Sequence, residues 1–173
     1  RHWHPKIVHQ LEDMTVALLA AAQLSAGMRV LDLASGTGDP ALAVAAAVGP
    51  DGQVTATDLS PDMLATAQAN AHAAGLTNLT FQIADAEDLP FSAAQFDVVL
   101  SRIGAMYFVN IQQALREIRC VLKPGGRVAL SAWGPLEQSP YAATMLTPFL
   151  TRIDVPPPPP GAPQPLRFAQ SGS

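Results

Sequence analysis

The stretch Val30-Leu-Asp-Leu-Ala-Ser-Gly-Thr-Gly-Asp-Pro40 constrains this chain more than any other. It runs from a strand-length apolar segment, Met28 to Ala34, through two spaced glycines and directly into the alanine-rich helical segment Pro40 to Val48. A chain that turns this sharply between a buried strand and a helix opens a βα unit. Gly36 and Gly38 allow dihedrals and a close approach to a ligand that a Cβ would forbid. Asp39 is placed to cap the helix, with Pro40 in its first turn, where no N–H is needed.

The alternation continues along the chain. Gln53 to Thr57 is a second strand, and a helix runs from Pro61 to about Ala74 with Gly75 as its C-cap. Strands are expected at Leu79 to Ile83, Phe96 to Leu100 and Arg127 to Trp133, the last entered through a Gly125-Gly126 turn. A helix over Ile111 to Leu122 carries Ile111, Leu115, Ile118 and Leu122 on one face, and Cys120 is expected to be packed on an apolar face. Before the Gly-rich turn, Pro5 to Gln23 reads as an amphipathic helix on Ile7, Val8, Leu11, Met14, Leu18 and Leu19. After Trp133, a further helix is expected on Tyr141, Met145, Phe149, Leu150 and Ile153, followed by an extended Pro156 to Pro160 loop. Buried strands separated mostly by helices predict an α/β fold, a doubly wound, mostly parallel sheet covered on both faces.

Composition narrows the function. Ten Lys and Arg against 14 Asp and Glu leave a net charge of −4, without the cationic footprint that phosphate backbones require. No nucleic-acid partner is therefore expected. One cysteine excludes an intramolecular disulfide framework and a cysteine-built zinc site, and favours the cytoplasm. No signal-peptide pattern appears, and polar residues break every apolar stretch before a membrane span is reached. The chain opens at Arg1 and closes on Gln-Ser-Gly-Ser, so a fragment is expected.

On its own the Gly-rich turn is ambiguous. Gly36-Thr-Gly-Asp-Pro-Ala41 satisfies a dinucleotide fingerprint, and Asp58 follows about 20 residues later, where a carboxylate accepts from ribose hydroxyls of any adenosine cofactor. Asp32 points elsewhere, because a carboxylate beside the turn suits a cationic cofactor portion and repels a pyrophosphate. In Asp85-Ala-Glu-Asp88, an acid after strand three can accept from an adenine amine while the Ala86 N–H serves a ring nitrogen; a solvated acidic loop explains it equally well.

Five ordered blocks resemble a class I S-adenosylmethionine-dependent methyltransferase, nearest to the ubiquinone/menaquinone-biosynthesis-like small-molecule methyltransferases. They are residues 30–39, Ala-Thr-Asp-Leu-Ser-Pro-Asp-Met-Leu (56–64), Asp-Ala-Glu-Asp-Leu-Pro-Phe (85–91), Phe-Asp-Val-Val (96–99) and Val-Leu-Lys-Pro-Gly-Gly-Arg (121–127). The resemblance covers about residues 27–134 and implies S-adenosyl-L-methionine as cofactor. Carried over by position, it implies that Ala34, Ser35, Gly36, Thr37 and Gly38 pass under the methionine end. It implies Asp58 at the ribose, Leu59 and Met63 beside the adenine, Asp85 and Ala86 on its amine edge, and Ser101 and Arg102 near the methionine moiety. Ala34 stands where many members have glycine, and Cys120 where arginine is frequent.

The resemblance divides the chain into an N-terminal helix (1–26) on the substrate side, a cofactor-binding core (27–134) and a post-strand-five segment (135–173). It also implies seven strands, of which five are found, leaving strand five as an apolar edge open to self-association. No general base can be assigned. His2, His4 and His9 read as a solvated helix start, since a metal needs a further ligand. Tyr107 suits either a substrate entrance or packing. Ser-Arg-Ile-Gly-Ala-Met-Tyr-Phe (101–108) lacks the Asn-Pro-Pro-Tyr type of motif, which favours a small methyl acceptor at carbon or oxygen. The alternatives are a nicotinamide-dependent oxidoreductase and a non-catalytic cofactor-binding fragment.

Overall fold

The strand residues divide their apolar side chains between two cores, as a parallel sheet covered on both faces demands. The computed structural model describes residues 11–135, 138, 147, 159 and 162–169. Its elements are α1 (Glu12–Ala22), β1 (Arg29–Leu33), α2 (Ala41–Val48), β2 (Gln53–Asp58), α3 (Pro61–Ala73), β3 (Leu79–Ile83), β4 (Phe96–Arg102), a 3-10 turn (Ala105–Tyr107), α4 (Ile111–Val121) and β5 (Leu122–Ser131). Among the described residues the five strands form one sheet of order β3-β2-β1-β4-β5, and every pairing is parallel.

Val30, Val54, Ala56, Val98, Leu100 and Ala129 pack one face against Leu18 and Ala22 of α1 and Ala41, Val44, Ala45 and Val48 of α2. Leu31, Leu33, Phe96 and Val99 pack the other against Ala114, Ile118 and Val121 of α4. From β1 the chain steps outward to β2 and β3, then returns to β4 on the opposite side. That reversal opens a crevice at the carboxyl ends of β1 and β4, where open α/β sheets bind ligands.

Two of the motif blocks turn out to be structural. Asp97 accepts from the Arg29 N–H at 2.8 Å and pairs with Lys123 Nζ at 2.7 Å, stapling the starts of β1 and β4 to the turn before the core of β5. Partial burial opposes ionisation of Asp97, but the Lys123 hydrogen bond and the Arg29 N–H hold its pKa below the usual carboxylate value.

Several local expectations need correction. The Asp39 side chain caps nothing: α2 begins at Ala41 behind Pro40, with no side-chain cap. Gly75 lies one residue past the C-cap of α3, Ala74, at φ +69. β5 already pairs at Leu122, and Gly125-Gly126 loops out inside it, so the register jumps from Phe96–Leu122 to Val98–Arg127; Trp133 lies beyond the strand. The buried stripe of α4 is Ala114, Ile118 and Val121, one step round from the expected face, which leaves Leu115 exposed. Cys120 is likewise exposed, because it lies opposite that stripe.

Residues 1–10, with His2, His4 and His9, lie outside the described residues, as do the apolar positions of the helix expected after Trp133 and most of the proline run. Residues 165–168 form a turn, and the segment lies over the exit of β4. The Gln164 N–H donates to Met106 O at 3.2 Å, Arg167 Nη1 donates to Phe108 O, and Phe168 packs on the α4 core.

Candidate functional site

The crevice holds a cavity of about 530 Å³. Its walls come from four separate stretches: Ala34 and Gly36 after β1, Thr57 to Leu59 with Met63 around the end of β2, Ala84 to Glu87 after β3, and Arg102 to Gly104 with Tyr107 to Val109 after β4. Eight of the thirteen residues expected at a cofactor line it, namely Ala34, Gly36, Asp58, Leu59, Met63, Asp85, Ala86 and Arg102.

Asp58 organises the turn. Its Oδ2 accepts from the Gly36 N–H and its Oδ1 from the Ser60 N–H, both at 2.9 Å. The carboxylate is thus fixed in orientation, and each oxygen keeps a second lone pair for a hydroxyl donor. Ser60 in turn caps α3 by accepting from the Met63 N–H. On the facing wall, Asp85 Oδ1 accepts from the Glu87 N–H at 2.9 Å, a local turn that leaves its other oxygen exposed beside the buried Ala86.

The remaining five expected residues, Asp32, Ser35, Thr37, Gly38 and Ser101, do not line the cavity. Ser101 donates from Oγ to Leu33 O at 2.8 Å and clamps the ends of β4 and β1 together. Thr37 has its carbonyl turned outward to accept from Asn70 Nδ2 of α3. Gly38, at φ +97, is a packing glycine, because an added Cβ would stand 2.5 Å from Leu42 Cδ1 and 3.1 Å from Ala67 Cβ. Gly36 differs from it: at φ +56 its missing side chain meets nothing within 4 Å, and it faces the cavity. Ser35 is buried, with its N–H on Thr57 O and its Oγ without a partner.

Asp32 is fully buried in the middle of the sheet face that carries Val30, and neither carboxylate oxygen has a hydrogen-bond partner of ordinary geometry. Burial pushes its pKa well above the usual carboxylate value; Arg102 opposes this, while Asp39 and Asp58 add to it and the Ala41 N–H pulls weakly against it. Strand alternation puts Arg102 on the same face. There its guanidinium pairs with Asp39 Oδ2 at 2.5 Å and donates to Asp39 O and Thr15 Oγ1, at 3.0 and 2.7 Å. Asp39 is therefore spent on Arg102, which explains why it does not cap α2. The Arg102 Nε is buried without a partner.

A carboxyl with a raised pKa burdens the fold as it ionises. The cost is absent below the ordinary Asp pKa and grows as pH rises towards the folded-state value. Asp32→Asn, which keeps the shape and cannot ionise, is therefore expected to stabilise the ligand-free chain near neutral pH. The gain should vanish in acid, and affinity for a cationic ligand should fall. Thermal melts between acid and neutral pH check the first effect; equal stability of variant and parent at neutral pH would contradict it.

Two wall residues carry backbone strain. Ala34 (φ +55) and Ile103 (φ +54) adopt the left-handed region, which is costly for Ile103 in particular because it is β-branched. The Ile103 N–H is held there by Ser131 O at 2.9 Å. Gly104 follows, where any Cβ would lie 2.6 Å from Ala34 Cβ, so the wall passes over the turn without a side chain. Thr15, Thr57, Ala84, Glu87, Ile103, Gly104, Phe108 and Val109 were not singled out from the sequence. Glu87 and residues 103–108 lie within stretches already noted, but nothing local marks Thr15 or Val109.

The donor set fits an adenosine cofactor with an amino-acid end. A fixed carboxylate (Asp58) and an exposed one (Asp85) flank the apolar Leu59, Met63 and Ala86. Arg102 in the wall is the complement of a carboxylate, and the unpartnered acid Asp32, buried beneath the Gly-rich turn behind the wall, is the complement of an ammonium. Among the described residues no cluster of metal-ligating side chains occurs, and no helix is long and apolar enough to cross a membrane.

Residues 24–148 match the family described as "Methyltransferase domain". The chain is 42% identical over 118 residues to an uncharacterised protein of Mycobacterium tuberculosis, covering 68% of this chain and 42% of that one. It is 40% identical over 125 residues to the ubiquinone/menaquinone biosynthesis C-methyltransferase UbiE of Ralstonia pickettii, covering 70% and 51%. Among solved structures it resembles an arsenic(III) S-adenosylmethionine methyltransferase from Chlamydomonas reinhardtii, with a TM-score of 0.58, 33% identity, and coverage of 61% of this chain and 38% of that one. The chain thus spans about half the length, or less, of these relatives. With its sheet order, its Gly-rich turn and the acid at the end of β2, the chain belongs to the class I S-adenosylmethionine-dependent methyltransferases.

Proposed function

We propose that this chain is the cofactor-binding part of a methyltransferase that methylates a small molecule at carbon or oxygen. The observation that carries the reading is a backbone-anchored Asp58 and an Arg102 in one cavity wall, with the orphaned acid Asp32 buried beneath the Gly-rich turn. S-adenosylmethionine supplies a methyl group on a sulfonium, which an aligned nucleophile takes by in-line displacement.

The protein's part is to hold and to orient. Asp58 holds the ribose, Leu59 and Met63 enclose the adenine, Asp85 and Ala86 read its amine edge, and Asp32 and Arg102 fix the amino-acid end. Ala34, Gly36 and Gly104 offer bare backbone where a bulky side chain would block the approach, and Phe108 helps to exclude water. Such orientation is worth roughly 7–11 kcal/mol in favourable cases. A general base stays unassigned. The Ralstonia pickettii relative, a C-methyltransferase, supports carbon as the acceptor atom.

Residues 1–26 serve as the substrate-side cap, 27–134 as the cofactor core and 135–173 as a post-strand-five helix and Pro-rich loop. The net charge of −4 supports a small acceptor over nucleic acid, and the single cysteine supports a cytoplasmic setting. The outer edge of β5, unpaired among the described residues with Val128 42% and Leu130 38% exposed, supports self-association of the isolated chain.

Thermal shift tests the reading. S-adenosylhomocysteine at about 100 times its Kd should stabilise the chain by about 2.7 kcal/mol, with no response to NADH. A response to NADH alone would replace the methyltransferase by an oxidoreductase.

A further inference from the structure

Among the described residues Arg102 is the one cation in the cavity wall, and partners from outside its strand hold its guanidinium. Its side chain is 8% exposed, surrounded by Asp32, Asp39 and Asp58, and without further restraint a guanidinium there would fold fully onto the nearest acid. The restraint comes from α1. Thr15 is buried on α1, donates from Oγ1 to Leu11 O at 3.1 Å, and thereby turns its lone pairs toward the sheet, where Arg102 Nη1 donates to it at 2.7 Å. Asp39 takes Nη1 and Nη2 from the other side. The two partners take both hydrogens of Nη1 and one of Nη2, which fixes the plane of the guanidinium and leaves the second Nη2 hydrogen and the buried Nε unused.

We infer that Thr15 is a positioning residue, by which docking of α1 holds the Arg102 guanidinium in the cavity wall for the amino-acid end of the cofactor. The inference rests on the methyltransferase reading above. It makes α1 a component of the cofactor site as well as a cover for the sheet, although no residue of α1 lines the cavity. Affinity for a ligand with an amino-acid end should then depend on one hydroxyl in a helix that the ligand never touches. Affinity for the adenosine end, held by Asp58 and Asp85, should not.

The experiment compares two ligands by calorimetry on this chain: S-adenosylhomocysteine, which has the amino-acid end, and 5′-methylthioadenosine, which lacks it. Thr15→Val keeps the side-chain shape and removes the hydroxyl. Losing a hydrogen bond to a charged donor predicts a fall of about tenfold to a hundredfold in S-adenosylhomocysteine affinity. Affinity for 5′-methylthioadenosine should be unchanged, and Thr15→Ser should restore the parent behaviour. If Thr15→Val does not fold, Thr15→Ala must show the same split. Equal losses for both ligands, or no loss for either, would overturn the inference while leaving the cofactor reading intact. Failure of the parent chain to bind either ligand would overturn that reading, and the inference with it.

Discussion

Gly38→Ala is expected to destabilise the chain by about 2–5 kcal/mol, combining the cost of a left-handed L-residue with that of overpacking. The added methyl meets Leu42 Cδ1 at 2.5 Å, which can rotate away. It also meets the Cβ and Cα of Ala67 at 3.1 and 3.2 Å, and these belong to a helix that cannot. Such a loss is a large fraction of the roughly 5–15 kcal/mol by which a domain is stable. Gly36→Ala supplies the contrast. Its Cβ meets no atom within 4 Å, so the fold should lose only about 1–2 kcal/mol, while the methyl occupies space in the cavity and weakens ligand binding. Denaturant melts of the two variants check this; equal destabilisation would mean that the two glycines do not divide the work.

Asp58→Ala should cost the ligand more than any other single change in the cavity wall. It removes the ribose acceptor and also releases the N–H groups of Gly36 and Ser60, so the Gly-rich turn and the start of α3 both lose their anchor. A weakening of S-adenosylhomocysteine binding by about 1.5–3 kcal/mol follows from the lost charged hydrogen bond. Asp58→Asn, which retains one carbonyl oxygen as acceptor, should fall between. Calorimetry that finds the parent affinity in a folded Asp58→Ala variant would remove Asp58 from the site.

The parts of the fold that were legible in the sequence are those dictated locally. The apolar runs Val30–Leu33 and Val98–Leu100 and the glycines between strand and helix located the sheet and the turn, because pleat alternation and left-handed dihedrals leave signatures within a few residues. What escaped was set by distance along the chain. Asp39 has the chemistry of a helix cap, and only the fold shows that Arg102, far along the chain, claims its carboxylate first. The sequence puts Asp32 beside the turn, but its seat beneath the turn, buried and unpartnered, depends on α1 and α2 closing over that face. Ser101 and Arg102 are neighbours that point to opposite sides of β4, so one clamps Leu33 and the other enters the wall. Leu115 and Cys120 show the limit of periodicity in a helix with several apolar positions. The spacing admits two adjacent stripes, and the sheet beneath chose the one through Ala114, Ile118 and Val121.

The central claim is that one site holds an adenosine between Asp58 and Asp85 and an amino-acid end at Asp32 and Arg102. A crystal structure of the chain with S-adenosylhomocysteine tests it most directly. The account predicts ribose hydroxyls on the Asp58 carboxylate, the adenine between Met63 and Ala86, and the amino-acid end against Arg102 with its ammonium directed at Asp32. An adenosine bound away from Asp58, or an amino-acid end directed away from Asp32 and Arg102, would contradict it.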